Sequence, residues 1–428
     1  MNKLWMYLAI IAAVGLIANI PHHMNFNVAN QNDFLFFYYI HEQIKVSQSY
    51  GEFPHWIPYF FSGMPYFANA QSMVFTLSGL MSLFLPVLLS IHLGFIIHTI
   101  IAGLGMFFLA KELKLSDPAA IVPAILFMVN GWAIHQISGS GMEKFLVYSI
   151  IPWIFVFLYR SLKGRWLKNA VIAGLMGAIA FMGSGFDTFL WTGTMIGLFF
   201  LFHLVIKPKR WSRLLLIGGI FAIVLFGLVA IKLLPMVEFG EVTNKKGGFT
   251  LEQSFQKKLS IGNAFKMLPI GPIPEVSYTP TIGIAATMLF LLAFLRFRNR
   301  NVIFLSLLIL FNVLVAMNIG LYGILFRFIP GFNAIHDVTR GLFITVFAAS
   351  LLAGIGFSVL IKLIKQKKNA WMIALLLVAI FAVEGIPREK AQAVFDIKAA
   401  HEQNELLNYI KAQPGIFRIH NIGTNAIG

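Results

Sequence analysis

One stretch of the 428-residue chain, NQNDFLFFYYIHEQIKVSQSYGEFPHWIPYFFSGMPYFANAQS over 30–72, gathers side chains that can handle a polar substrate. Asp33 carries a carboxylate able to accept or deliver a proton. Asn69 and Gln71 carry amides that both donate and accept hydrogen bonds. Trp56, Tyr59, Phe60, Phe61 and Tyr66 supply rings between them. Each has a plainer use as well: Asp is a favoured helix N-cap, and aromatic rings suit the membrane interface. Asp187 lies in the tight Gly183-Ser184-Gly185-Phe186-Asp187-Thr188 turn, where a carboxylate facing lipid would be costly, so it serves either the protein interior, an outer vestibule or the turn itself. Glu238 and Glu241 read as solvated loop, and the adjacent Glu143 and Lys144 as a pair neutralising each other. Arg340 borders an apolar run and is equally suited to snorkel to the interface. The chain has no Cys, which excludes thiol chemistry and disulfides. No Gly-x-x-x-x-Gly-Lys-Ser/Thr loop and no Gly-x-Ser-x-Gly elbow occurs. His22 and His23 are adjacent, and His92 and His98 are six apart, so no zinc-binding spacing is present.

The elements that position these residues are membrane helices. Hydrophobic residues make up 58% of the chain and charged residues 12%, against about 25% charged in soluble domains. A span needs roughly 20 mostly apolar residues. About eleven runs (10–12 by this criterion) qualify: 4–20, 89–110, 119–135, 145–159, 170–185, 189–206, 214–234, 281–295, 302–318, 342–361 and 370–383. The expected fold is an all-α polytopic membrane protein. Lys3 precedes the first run, but Pro21-His22-His23 follows it without a small-residue cleavage site, so it reads as a helix rather than a signal peptide.

The net charge of +16 would suggest a nucleic-acid partner in a soluble protein. Here it sorts by topology. With the N-terminus cytoplasmic, alternate segments hold Lys3, Lys111, Lys114, Arg160, Lys163, Arg165, Lys168, Lys207, Lys209, Arg210, Arg213, Arg296, Arg298, Arg300, Lys362, Lys365, Lys367 and Lys368, against only Glu112 and Asp117. The remaining basic and acidic residues cancel. That is the positive-inside pattern, and it leaves no nucleic acid to invoke. The external loops are then the long ones, 21–88, 235–280 and 319–341, with a tail that also lies outside. Long polar and aromatic loops are where binding and catalysis concentrate.

Within the first of these loops, the periodicity of Phe34, Phe37, Tyr38, His41 and Ile44 predicts a helix over 33–49 lying along the interface. Gly51, Pro54, Pro58, Gly63 and Pro65 then break regular structure, so the rest reads as a folded cap. The run Gly51-Glu52-Phe53-Pro54-His55-Trp56-Ile57-Pro58-Tyr59, followed by Gly63-Met64-Pro65 and Ala68-Asn69-Ala70-Gln71-Ser72, resembles the first loop of the YfhO family, which belongs to the GT-C superfamily of multispanning glycosyltransferases. Relatives usually show Pro-Leu-Trp-Asn-Pro here. This chain has His55 for Leu and Ile57 for Asn, and lacks any contact that Asn makes. Leu234-Pro235-Met236-Val237-Glu238-Phe239, Pro330-Gly331-Phe332 with Asp337-x-x-Arg340, Leu352-Ala353-Gly354-Ile355-Gly356 and Pro414-Gly415-Ile416-Phe417-Arg418 resemble later family segments.

The resemblance implies a GT-C-like domain over 1–386 in a bacterial-type plasma membrane. It implies transfer of a sugar from a polyprenyl-phosphate donor to an acceptor outside the membrane (cell-envelope polymer, glycolipid or protein). Asp33 would be the general base; Trp56, Asn69, Gln71, Asp187 and Glu238 would contact donor or acceptor; Arg340, then Lys232 and Arg327, would hold the phosphate. Such chemistry admits a divalent cation without naming its ligands. The segment 387–428 changes character: 389–412 has helical spacing, Phe417–Ile419 reads as a strand, and the stretch is expected to be the cut start of an outer domain. Rival readings are a transporter or flippase of a lipid-linked substrate, which internal repeats would favour and none is seen, and a non-catalytic scaffold.

Overall fold

A computed structural model describes residues 3–23, 28–29, 32–58, 63–243, 246–254, 257–269, 280–318, 320–365, 368–385, 395–396, 408–409 and 412–413. The helices are α1 (Lys3–His23), α2 (Asn32–Ser49), α3 (Leu77–Ser82), α4 (Val87–Glu112), α5 (Asp117–Val129), α6 (Gly131–His135), α7 (Met142–Ser161), α8 (Trp166–Met182), α9 (Phe186–Ile206), α10 (Trp211–Gly240), α11 (Ile261–Ala264), α12 (Ile284–Leu292), α13 (Arg300–Ala316), α14 (Leu321–Phe328), α15 (Phe343–Leu363) and α16 (Ala370–Gly385). The four strands are two residues each: β1 (Val28–Ala29), β2 (Trp56–Ile57), β3 (Met64–Pro65) and β4 (Phe395–Asp396).

The chain is an all-α multi-pass membrane protein. Each of the eleven apolar runs becomes helix. Among the described residues, seven helices are long and apolar enough to cross a bilayer, and three shorter apolar ones (Trp166–Met182, Ile284–Arg296, Ala370–Glu384) accompany them. The eleventh, α13, turns by 88° into α14, which therefore lies across its end. Of the stretch 389–412, where the sequence shows helical spacing, residues 408–409 and 412 are helical, Phe395 and Asp396 instead pair antiparallel with Ala29 and Val28, and the rest lies outside the described residues. The strand expected at Phe417–Ile419 lies outside the described residues.

The core is built around α5 and α15, each 89% buried over its apolar window, whereas α9 and α10 are 28% buried. Lipid is as apolar as Leu, so helices associate through close van der Waals contact rather than hydrophobic exclusion. The sequence of α15, FITVFAASLLAGIGFSVLIKL, meets that need. Gly354 lies against Pro123 and the Ala119 carbonyl, where a Cβ would approach to 2.8 and 3.0 Å, and a Cβ on Gly356 would overlap the Leu289 carbonyl. On α10, Leu215, Leu216, Ile223, Phe226, Ile231 and Leu234 are exposed, as a lipid-facing helix requires.

The first loop is a folded cap. On α2, Phe34, Phe37, Ile40 and Ile44 are buried in one helical row. His41, fully buried on that row, holds the Phe37 carbonyl through Nδ1 (2.7 Å) and meets Ser78 Oγ through Nε2 (2.9 Å). Beyond α2, Trp56 pairs with Pro65 and Ile57 with Met64. Gly63, at φ +104°, passes under the Trp56 ring. Buried Tyr66 donates its hydroxyl to the Ile40 carbonyl at 2.9 Å, locking the cap onto α2.

Two outcomes follow from this packing. Gly356→Ala forces a methyl into a backbone carbonyl and should lower the unfolding free energy by about 1–3 kcal/mol, read as a fall in thermal midpoint in detergent. Gly177→Ala, whose methyl would meet only side-chain carbons at 3.3–3.4 Å, should leave that midpoint nearly unchanged. Burial also lowers the His41 pKa from its ordinary 6.5 to about 4. The neutral ring therefore contributes stability that is complete above pH 6.5 and is lost as pH falls toward 4, about 3 kcal/mol in all. Amide exchange in α2 should accelerate across that window in the native protein, and the acceleration should flatten in His41→Gln.

Candidate functional site

Charged side chains collect at one end of the bundle, where α2, α6 and the starts of α7 and α9 meet the turn that leads into α15. Asp337 organises that turn. Its carboxylate accepts from Thr339 N (2.9 Å) and Thr339 Oγ1 (2.6 Å) and starts a 3-10 turn over Val338–Leu342. This gives the Asp337-x-x-Arg340 spacing a structural reason. Gly341 lets the turn settle on Trp191, since a Cβ there would come within 2.8 Å of the indole. Arg340 is thereby aimed at the first turn of α9, where its Nη1 donates to Asp187 Oδ2 at 3.0 Å. Its Nη2 lies 2.8 Å from His336 Nε2. Arginine has only donors, so His336 accepts there and carries its proton on Nδ1. The His336 ring packs on Phe249, whose amide donates to the Asn333 carbonyl at 2.7 Å.

The second pair sits beside the first. Lys144 Nζ donates to Glu143 Oε1 at 2.7 Å with both side chains nearly sealed from solvent. Gly185 brings the α8–α9 turn onto the backbone of Glu143 and Lys144, so Lys144 also acts electrostatically on Asp187. Next in line is His135, within electrostatic reach of both Lys144 and Asp33. Asp33 is the second residue of α2 and not its N-cap. Its side chain is exposed and makes no hydrogen bond or ion pair among the described residues. A carboxylate in a first helical turn is favoured by the helix dipole, which steadies its charge without occupying its oxygens.

Lys232 stands apart. Only 2% exposed, its ammonium donates to the Ser72 carbonyl (2.8 Å) and to Ser184 Oγ (2.7 Å). Ser184, held at φ +70°, donates in turn to Ser72 O at 2.5 Å. This joins the end of the first loop, the α8–α9 turn and α10. No carboxylate pairs with Lys232 among the described residues, and an ammonium so placed with neutral partners alone is expensive.

The structure thus brings together Asp187 and Arg340, sets Asp33 near them through His135 and Lys144, and leaves the other sequence candidates elsewhere. Trp56 is 52% exposed on the cap. Asn69 Oδ1 accepts from the Gln71 backbone N–H at 2.9 Å, and both residues are half-buried. Glu238 is exposed in the last turn of α10. Arg327, exposed on α14, lines a cavity of about 410 Å³ with Gly247, Phe249, Thr250, Pro330 and Asn333. Two participants were missed from sequence. His336 had a signal, four residues before Arg340. His135 had none, being the last letter of an apolar run. Among the described residues no group of three or more His, Asp or Glu side chains converges as metal ligands.

No model of a known protein family matches the chain, and no curated protein sequence does. Among solved structures it is similar to the single-particle cryo-EM structure of the arabinofuranosyltransferase AftD from Mycobacteria, with a TM-score of 0.46 and 13% identity over 91% of this chain. The chain spans 27% of the length of that structure's chain. At that identity no residue role passes from one protein to the other.

Proposed function

We propose that the chain is a GT-C-type membrane glycosyltransferase, related to the YfhO family, that moves a sugar from a polyprenyl-phosphate donor to an acceptor outside the plasma membrane. The observation that carries this reading is Asp33: an exposed carboxylate with no hydrogen bond or ion pair among the described residues, whereas Asp187 and Glu143 each hold a cation. In the reaction the acceptor hydroxyl gives its proton to Asp33 as its oxygen attacks the anomeric carbon. The bond from that carbon to the phosphate oxygen breaks, the polyprenyl phosphate departs with the electron pair, and the proton leaves Asp33 to solvent. Inversion at the anomeric carbon is what the family resemblance implies. Arg340 answers the developing phosphate charge, with Lys232 and Arg327 as further cations. The resemblance also sets Trp56, Asn69, Gln71, Asp187 and Glu238 around donor and acceptor, with the N-terminus in the cytoplasm.

A transporter would be favoured by a helix broken at mid-membrane. The α13–α14 break follows a helix of 17 residues, about 26 Å long, which is close to the thickness of the hydrocarbon core.

Asp33→Asn should insert and accumulate normally yet lose transfer by about 10²–10⁴-fold, measured as labelled sugar moved from a synthetic polyprenyl-phosphate sugar in membranes. Near-normal transfer would end the assignment of Asp33 as base. Arg340→Ala leaves the Asp187 charge facing the donor phosphate, and donor KM should rise by about tenfold or more, the loss of one charge-assisted contact. An unchanged donor KM would remove Arg340 from the phosphate site.

A further inference from the structure

The end of α9 opposite Asp187 carries positive charge that nothing in the chain balances. The 21 residues of α9 make about 30 Å of helix, and the chain leaves it through Lys207-Pro208-Lys209-Arg210 into α10 and Arg213. From 160 to 213 the only acidic residue is Asp187 itself. Arg160 and Lys163 share Glu112, whereas Lys207, Lys209, Arg210 and Arg213 form no ion pair among the described residues. Membrane orientation accounts for basic residues at such an end but not for their convergence on one recess.

That recess, of about 20 Å³, is lined by His203, Lys207, Arg210 and Arg213 together with buried Leu214 and Ile217. Arg213 is only partly engaged. Its Nη2 donates to the Ser161 carbonyl (3.2 Å) and the Lys163 carbonyl (2.8 Å), tying α10 to the turn after α7. Its Nε is buried and has no hydrogen-bond partner among the described residues, which is uncommon for a buried polar atom. The same place is the start of α10, which has no side-chain cap and no acidic residue in its first turn, so the positive end of its dipole also lacks a counter-charge.

The chemistry of the lining selects its occupant. Arginine only donates, so what completes Nε is an acceptor, and three cations lining the recess without a carboxylate make that acceptor an anion. The recess has room for about one oxygen atom. That is too little for a sugar ring, and enough for one oxygen of a phosphate whose other atoms stay at the mouth beside the exposed Lys207 and Arg210. On the same ends of α9 and α10, Leu201, Val205, Trp211, Leu215 and Leu216 are exposed, an apolar surface suited to acyl chains. A phosphate carried on a lipid meets both requirements. We infer that the recess between the end of α9 and the start of α10 binds the phosphate of an anionic membrane phospholipid, through Arg213, Lys207 and Arg210. The lipid ties together two helices that are each only 28% buried. The site lies at the opposite end of α9 from Asp187 and does not rest on the glycosyl-transfer reading.

The test uses the full chain, purified in detergent and stripped of lipid, with phosphatidylglycerol and phosphatidylcholine of the same acyl chains as probes and native mass spectrometry as the readout. Phosphatidylglycerol should be retained about tenfold more tightly than phosphatidylcholine, the worth of one charge-assisted contact, and should raise the thermal midpoint. Lys207→Gln and Arg210→Gln, at exposed positions, should each weaken that retention by about fivefold or more. Arg213→Lys keeps the charge, removes Nε and should weaken it by a similar factor. Lys168→Gln removes an exposed charge at the same end of the bundle but outside the recess, and should leave retention unchanged. Inorganic phosphate, the second probe, should not displace the lipid, since it lacks the chains. Equal retention of the two lipids (ordered water only in the recess), a loss in Lys168→Gln as large as in Lys207→Gln and Arg210→Gln (diffuse surface charge), or displacement by inorganic phosphate (a free anion) would each overturn the lipid site.

Discussion

Everything at the charged end of this protein depends on how closely α15 can approach its neighbours. In lipid no hydrophobic force pulls one apolar helix onto another, and contact must come from backbone-to-backbone proximity. Gly354 on α5 and Gly356 on α12 provide it, fixing α15 at the centre of the bundle. The turn before α15 is therefore fixed as well. Because Val338, Thr339, Gly341 and Leu342 are all buried, Arg340 leaves that turn in one direction, toward Asp187. The ion pair is a consequence of the packing. It need not drive folding, and a partly buried pair seldom would.

Charge at this end is divided between groups that cancel and groups that do not. Asp187 meets Arg340 and Glu143 meets Lys144, which leaves both carboxylates with a cation at hydrogen-bond distance. Asp33 lacks such a partner among the described residues. A base needs open lone pairs and a charge that is not held down by a bound cation. By that measure Asp33 is suited to take a proton, and Asp187 is suited to hold an arginine in place.

The sequence carried the helices well because one physical rule governs them all: apolar length. It was enough to place eleven helical runs and a helix in the first loop, where Phe34, Phe37, Ile40 and Ile44 recur on one face. It failed at Phe395–Asp396, where pairing with Val28–Ala29 is a contact across most of the chain and leaves no local trace. In the site, Asp187 and Arg340 were visible separately, being charges beside apolar runs. Their pairing was not, since they are 153 positions apart in the sequence. Glu143 and Lys144 were legible as a pair, but their burial and the turn of Gly185 against their backbone were not. Lys232 read as a possible phosphate ligand, and nothing in its flanking Leu and Ile residues announced the Ser72 carbonyl and Ser184 hydroxyl that hold it.

The other two cations proposed for the phosphate lie beside exposed apolar residues. Lys232 follows Ile231, which is 60% exposed on the thinly covered α10. Arg327 sits between Ile324 and Phe328, at 55% and 74% exposure on α14. A ligand with an apolar tail and an anionic head would approach along such surfaces and find net positive charge there first, because long-range attraction depends on net charge and the paired Arg340 and Lys144 supply little of it. At contact distance the order reverses. Direction and hydrogen-bond geometry then matter more than net charge, and Arg340, held by Asp187 and His336, is the better oriented group. Under the proposed reaction, capture of the lipid phosphate and stabilisation of the departing phosphate are thus tasks for different cations on different elements.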